Sequence, residues 1–424
     1  MSPRVVITGL GTIVPKAPNV AAFELMLRQG RSSITYRPEA EAHGLSCHVA
    51  GVPEVDEQRL AAITIPAQRR SMNGIMDLAT LAAIECWQQA GLPYTPGDDG
   101  PMDPHTGMVF GTGIAGVETL CATVAPSVES AQVRQLGAKR VEQTMSSGAA
   151  ACVSGLLGIG GPVISPSAAG TTGSACLVQA LRLLRAGLCR RILAGSAETS
   201  NIYTWAMFDA MRVLVRDGNH DPASASRPFS AAAAGFVASG GAGALMLETL
   251  ESARERGAHI YAELAGGYEN CGGQRSGGTM TRQSPEGVER CIRGALVDAA
   301  VHPREIDYVN AHSTATMGDR NEIRSIANAL SRNGDDFPWV NATKSLIGHC
   351  IGGAGSVESV ATVLQLHGGF LHPSLNCEAV HSEIAAIDSR IPRRCLEKPL
   401  TTALKTSFGF GDVNACLIFR AWPN

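Results

Sequence analysis

GPVISPSAAGTTGSACLVQALRLLRAGLCRRILAGSAE (Gly161–Glu198) reads as strand, turn, helix and strand in one pass. Residues 161–168 and 190–198 are short β-prone apolar runs that end in small residues. Between them, 171–186 is apolar at 175, 177, 178, 181 and 184, the spacing of a helix with one buried face. Its basic residues gather near the end, and Gly187 stands where a helix takes its C-cap. A strand–helix–strand unit is the building block of an α/β fold. Gly170 falls at or just before the helix N-terminus, where free N–H groups and the dipole favour negative charge. A cysteine there would be partly thiolate and a strong nucleophile. Glycine can offer its own N–H to an oxyanion but cannot be acylated, and the position equally suits an ordinary turn glycine.

Similar runs recur along the chain. RVVITGLG (4–11), TGMVFGTG (106–113) and GALMLE (243–248) join the two above. IYAELAG (260–266), DYVNAHS (307–313), PWVNATKS (338–345), TALKTSFGF (402–410) and ACLIFRAW (415–422) follow. Amphipathic, alanine-rich stretches such as MDLATLAAIECWQQAG (76–91) and VESVATVLQLHGG (357–369) lie between them. Alternation of this kind implies largely parallel βα connections. Five strand candidates in each half imply a duplicated unit, with halves at 1–255 and 256–424 packed as one body. The residues around 170, 312, 344–349 and 410 all follow such runs, where open α/β sheets place ligands.

Composition narrows the function classes. With 17% charged and 45% hydrophobic residues in 424, the chain suits a compact enzyme rather than a disordered or fibrous protein. A net charge of −3 gives no electrostatic case for nucleic acid or anionic membranes. Twelve cysteines are scattered without a C-x-x-C pair or a secretory leader, so reduced thiols and a cytoplasmic location are expected. His43, Cys47 and His48 lack a second ligand pair, and no metal is expected. The most apolar stretch, 148–164, is too short for a membrane span and reads as a buried helix and turn. Arg182, Arg185, Arg190 and Arg191 read as a local basic patch or as solvated structural arginines.

His312 and His349 each follow a strand and are flanked by small residues. Two neutral imidazoles converging on one point can donate to a developing enolate oxygen or handle a carboxylate. Lys344, five residues before His349, can orient one ring or bind a carboxylate. In SFGFGD (407–412), glycines around the aromatics let a backbone N–H approach a ligand or let a ring swing as a gate. A tight turn with two core aromatics fits that spacing as well.

Taken in order, RVVITGLG, SRPFSAAAAGFVASGGAGALMLE (226–248), ERGAHIYAELAG (255–266), NAHSTATMGD (310–319), NATKSLIGHCIGGAGSVES (341–359), HPSLN (372–376) and SFGFGDVNA (407–415) span nearly the whole chain. Together they resemble the elongating β-ketoacyl-acyl carrier protein synthases, or ketosynthases. The resemblance implies thiolase-like duplicated βαβ halves in a layered α/β/α/β/α body. It implies a homodimer, or a heterodimer with a second ketosynthase-like subunit. The implied reaction is decarboxylative Claisen condensation of an acyl chain with a malonyl thioester, both on acyl carrier protein. No cofactor is implied beyond the phosphopantetheine that arrives on that carrier. His312 and His349 become the catalytic histidines, Lys344 the lysine behind them, and Glu358 the acid near that lysine. Phe410 becomes the gating phenylalanine, its N–H joining that of 170 in an oxyanion hole, with Phe408, Gly409, Thr314 and Thr316 in support.

The chain departs from the family at two places. Gly170 stands where the family has its nucleophilic cysteine, and SAAAAGFV replaces a segment that usually carries acidic and basic residues. Cys176 is no substitute, lying about 240° round the helix and about 9 Å further on. Cys416, where a degradative thiolase would need a loop cysteine, falls inside the last strand run. Three readings remain open: a condensing enzyme whose cysteine has been replaced, naturally or by design; a non-acylating chain-length-factor subunit; or a malonyl-carrier-protein decarboxylase.

Overall fold

The computed structural model describes residues 2–423. Each of the ten apolar runs forms a strand. The first five are β1 (Val5–Ile13), β2 (Thr106–Gly111), β3 (Val163–Ile164), β4 (Arg191–Glu198) and β5 (Gly241–Thr249). The last five are β6 (Ala262–Cys271), β7 (Tyr308–Asn310), β8 (Trp339–Asn341), β9 (Thr402–Gly409) and β10 (Val413–Ala421). They form one sheet in the order β8-β7-β9-β10-β6-β1-β5-β4-β2-β3. From its outer edge inward, each half runs third, second, fourth, fifth, first. The halves meet where Val6 pairs with Glu263 and Ile7 with Ala262. Duplication, barely visible in residue identity, is complete in topology.

Strand direction corrects the sequence reading. Only the ladders of β2 with β3 and β4, and of β7 with β8 and β9, are parallel. The remaining five are antiparallel. The fourth and fifth strands of each half lie side by side in opposite senses, and the link 410–412 is too short for a parallel crossover.

Helices cover both sides of the sheet and fill the space between its halves. α1 (Gly74–Gln89) and α2 (Gly148–Leu157) lie on one outer face; α4 (Pro285–Ala299) and α5 (Gly318–Leu330) lie on the other. Between the halves run α3 (Thr172–Arg185) and α6 (Ala354–Gly368), each touching strands of both. They cross at small residues. A Cβ on Gly173 would sit 2.2 Å from the Ser356 nitrogen, and one on Gly355 2.3 Å from that of Ser174, so the backbones meet directly. α3 ends as its sequence implies: Gly187 takes φ +72°, its N–H bonding the Leu184 carbonyl and that of Leu188 the Leu183 carbonyl.

The stretch 148–164 is helix, turn and the short strand β3, and it is buried along one side only. Ala149, Ala150 and Val153 pack inward while Ala151, Gly155, Val163 and Ile164 face outward. Apolar composition alone cannot separate a residue buried by its own chain from one left for a partner. β3 is one of the two edge strands of the sheet, β8 being the other.

Candidate active site

The segments singled out in the sequence converge at the N-terminal end of α3. A single 3₁₀ turn, Ala169–Thr171, leads into that helix. Thr171 Oγ1 bonds the Ala168 carbonyl at 2.5 Å and Thr172 Oγ1 the Ala169 carbonyl at 2.7 Å, bracing the turn. Ala169, not Gly170, takes the left-handed φ, at +48°. A Cβ makes such a backbone strained, so the turn stores strain beside the site. No dihedral demands glycine at 170. A Cβ there would lie 3.5 Å from His312 Cε1, 3.5 Å from His349 Nε2 and 2.8 Å from the Phe408 carbonyl oxygen. A side chain at 170 is therefore aimed between the two imidazoles, and only the Phe408 carbonyl would have to give way.

The rings of His312 and His349 stand 5.3 Å apart and nearly perpendicular. His349 Nδ1 accepts the Ile351 N–H at 3.2 Å. Lys344 Nζ faces His312 Nδ1 at 3.4 Å, and an ammonium can only donate. Both rings are thus fixed as acceptors at Nδ1, which puts the ring hydrogen on Nε2. Burial first, then the Lys344 ammonium, hold both imidazoles well below their ordinary range, so both are neutral at pH 7.

Behind them lies a buried charge cluster. Lys344 and Glu358 are ion-paired and each only 1% exposed. Lys405, fully enclosed, lies 2.8 Å from the other oxygen of Glu358. Lys405 also donates to the Thr406 carbonyl and, at 3.1 Å, to Ser407 Oγ, which bonds Ser174 Oγ of α3 at 2.7 Å. The two ammoniums and the Glu358 carboxylate lie behind the histidines, and a second buried carboxylate, Glu322, stands at the His312 backbone.

The His312 loop is clamped by the first turns of α5. Glu322 accepts the N–H groups of His312 and Ser313, both at 2.8 Å, and the Thr406 hydroxyl at 2.7 Å. Asp319 accepts from Thr314 at 2.8 Å, Ala315 at 3.1 Å and Phe229 at 3.0 Å. Burial pushes its carboxyl up to about 6. Thr314 and Thr316 touch through their hydroxyls at 3.0 Å and stay partly open.

The end of β9 closes the site. A Cβ on Gly409 would lie 3.1 Å from the Gly170 nitrogen and 2.7 Å from the Ala168 carbonyl, so glycine lets the strand rest against the turn. The Phe408 ring stands 5.7 Å from His312. Phe410 begins an aromatic row: Phe208 at 6.5 Å, then Phe236 at 5.4 Å, then His349 at 5.4 Å. Glu198, at the end of β4, accepts N–H groups of Gly113 at 2.9 Å and of Ile114 and Gly352 at 3.2 Å. Burial pushes its carboxyl up to about 8.

Sequence reading missed Lys405, Glu322, Asp319, Glu198, Phe208 and Phe236 as parts of the site. One signal was present: a lysine within an apolar strand buried on both faces requires a buried partner. The other singled-out groups lie apart. Arg182 pairs with Glu269, Arg185 with Asp298, Arg190 with Glu255 and Arg191 with Asp103, so they are structural. His43 Nδ1, His48 Nε2 and Cys47 Sγ each contact a backbone carbonyl. Cys176 and Cys416 are buried thiols, raised by that burial.

Residues 2–253 match the family "Beta-ketoacyl synthase, N-terminal domain" and residues 261–378 its "C-terminal domain". The chain belongs to the β-ketoacyl synthase family. This family member is 34% identical to "3-oxoacyl-[acyl-carrier-protein] synthase 1" of Escherichia coli K12, over 98% of each chain. Two solved structures share its thiolase-like fold over all of both chains. "The ishigamide ketosynthase/chain length factor" has a TM-score of 0.88 at 25% identity. A "type II PKS acyl-carrier protein in complex with its ketosynthase" has 0.84 at 27%. Among the described residues of this acyltransferase-family chain, no helix is long and apolar enough to cross a membrane.

Proposed function

We propose that the site carries out the chemistry of decarboxylative condensation between thioesters on acyl carrier protein, with Gly170 in the place of the acyl-accepting thiol. The carrying observation is the direction of the Cα–Cβ bond at 170, into the space between His312 and His349. When a malonyl thioester loses carbon dioxide, charge collects on the thioester oxygen. Two Nε2–H donors from neutral imidazoles, one of them backed by the Lys344 ammonium, suit that oxygen. The carbanion then attacks an acyl thioester, whose oxyanion would take the N–H groups of 170 and Phe410 before it collapses and expels the thiolate. Where no acyl thioester is present, the carbanion takes a proton from water and leaves an acetyl thioester. Thr314 and Thr316 would guide the phosphopantetheine arm. The twelve unpaired cysteines suit a reducing cytoplasm.

Without a thiol at 170, acyl transfer to the protein cannot occur, but decarboxylation needs none. Loss of a covalent nucleophile costs several powers of ten in rate. A second reading, a non-acylating subunit beside a thiol-bearing ketosynthase, draws support from the outward apolar residues of 148–164 and from the ketosynthase/chain length factor likeness. The test supplies acyl and malonyl carrier protein to this protein and to Gly170→Cys, with products read by intact mass. The expected result is malonyl-to-acetyl conversion by both and β-ketoacyl product from Gly170→Cys alone. Absence of both products would overturn the condensing reading and leave the partner-subunit reading, tested by adding a thiol-bearing ketosynthase.

A further inference from the structure

Lys405 is a fully buried ammonium that the chemistry above does not use. It stands in mid-strand on β9, and an apolar side chain there would avoid the cost of enclosing a second cation. Its contacts run in three directions. Through Glu358 it reaches Lys344 and thence His312 Nδ1. Through Ser407 it reaches Ser174 of α3, four residues beyond Gly170. Through the Thr406 carbonyl it holds the residue whose hydroxyl bonds Glu322, the anchor of the His312 backbone.

Glu358 has one oxygen for each lysine. While Lys405 holds the second oxygen, Lys344 keeps a hydrogen to aim at His312 Nδ1. The second oxygen makes no hydrogen bond and is held by the Lys405 charge alone. With Lys405 absent it would be a buried charge without a counter-ion, and Lys344 would be drawn across both oxygens and off the imidazole.

We propose that Lys405 is a positioning residue: by occupying the second oxygen of Glu358 it keeps Lys344 on His312 and so fixes His312 as the Nε2–H tautomer. The groups facing His312 are Lys344, Lys405, His349, Phe408 and, at its backbone, Glu322; Glu358 acts through the lysines. Lys405 is also among the causes that hold both imidazoles low, after burial and Lys344. The catalytic meaning of this role rests on the proposed function, but its test does not use turnover.

The full chain, labelled with ¹⁵N-histidine, is compared with Lys405→Met, which removes charge and donors, and Lys405→Gln, which removes charge only. Ring-nitrogen shifts are followed from pH 5 to 9, with His312 assigned through its own substitution. In the starting protein His312 carries its hydrogen on Nε2 and does not titrate near neutrality. In Lys405→Met an Nδ1–H population appears and the His312 midpoint rises by about one pH unit; Lys405→Gln gives the same rise. An unmoved His312 in a folded variant would overturn the inference, as would an Nδ1–H His312 in the starting protein. Loss of the fold in both variants would overturn it too, since Lys405 would then hold the fold rather than aim Lys344. A shifted His312 in a protein that never decarboxylates would keep this inference and remove the proposed chemistry.

Discussion

At position 170 an absent side chain leaves a readable space. Glycine is not required there by backbone conformation, since Ala169 takes the left-handed residue's role. It relieves a single contact, the 2.8 Å approach to the Phe408 carbonyl. Gly170→Cys should therefore fold at a cost of about 1 kcal/mol for that displacement, seen as a melting point lower by a few degrees. The new thiol would meet the N–H groups of the turn at the helix N-terminus, so its thiolate is favoured. In that variant iodoacetamide should alkylate the introduced thiol ahead of the exposed Cys271 by peptide mass, and equal rates would show that the site does not activate a thiol. The histidines give a second prediction. Because both imidazoles stay neutral, decarboxylation should be flat from pH 6 to 8; a fall centred near 6.5 would mark an ordinary histidine in the rate.

Among the elements, two buried carboxylates hold the histidine-bearing turns, and they differ in what protonation does. Glu322 accepts from two N–H groups and two hydroxyls. Glu322→Gln would set a donor against donors and should destabilise the fold by about 2 kcal/mol, with loss of decarboxylation as the His312 loop loosens. Denaturant titration beside activity checks both; full activity at reduced stability would remove Glu322 from the positioning of His312. Glu198 clasps the turn after His349. Its carboxyl keeps a proton up to about pH 8 when folded, while an unfolded glutamate loses it near 4.3. Between those values the folded state binds more protons, so stability falls as pH rises through that window. Melting points should drop from pH 6 to 9, and Glu198→Gln should flatten that slope; an unchanged slope would show that the group is ionised throughout.

These same anchors show what a linear reading can reach. The ten strands were legible because each is an apolar run, and His312, His349 and Lys344 because each follows one among small residues. Glu322, Asp319 and Lys405 were not, since a charged side chain in the sequence does not show whether it is buried or what it meets: Glu322 turns back to the His312 loop and reaches Thr406, and Lys405 meets Glu358. Strand sense was misread for a related reason. Helical stretches between runs suggested crossovers, yet β9 turns straight back into β10, and a hairpin leaves the same apolar pattern as a parallel neighbour.

Over the whole molecule, the sheet is closed by nothing at β3. Val163 and Ile164 are exposed, and Val141, Val133, Val128 and Leu120 from the preceding helices are also exposed. An edge strand that carries exposed apolar side chains suits association, because water satisfies its backbone but not its side chains. α2 leads from this surface to β3 and the Gly170 turn, so association bears on the site as well as on solubility. Ile164→Lys puts a charge on that edge without touching the interior. The unaltered chain should sediment as a dimer at micromolar concentration and Ile164→Lys as a folded monomer. A monomer in both cases would mean that the face awaits a different subunit, and mixing with a thiol-bearing ketosynthase should then restore the heavier species. If Ile164→Lys stays dimeric, the edge of the sheet is not the interface and the apolar face must serve something else.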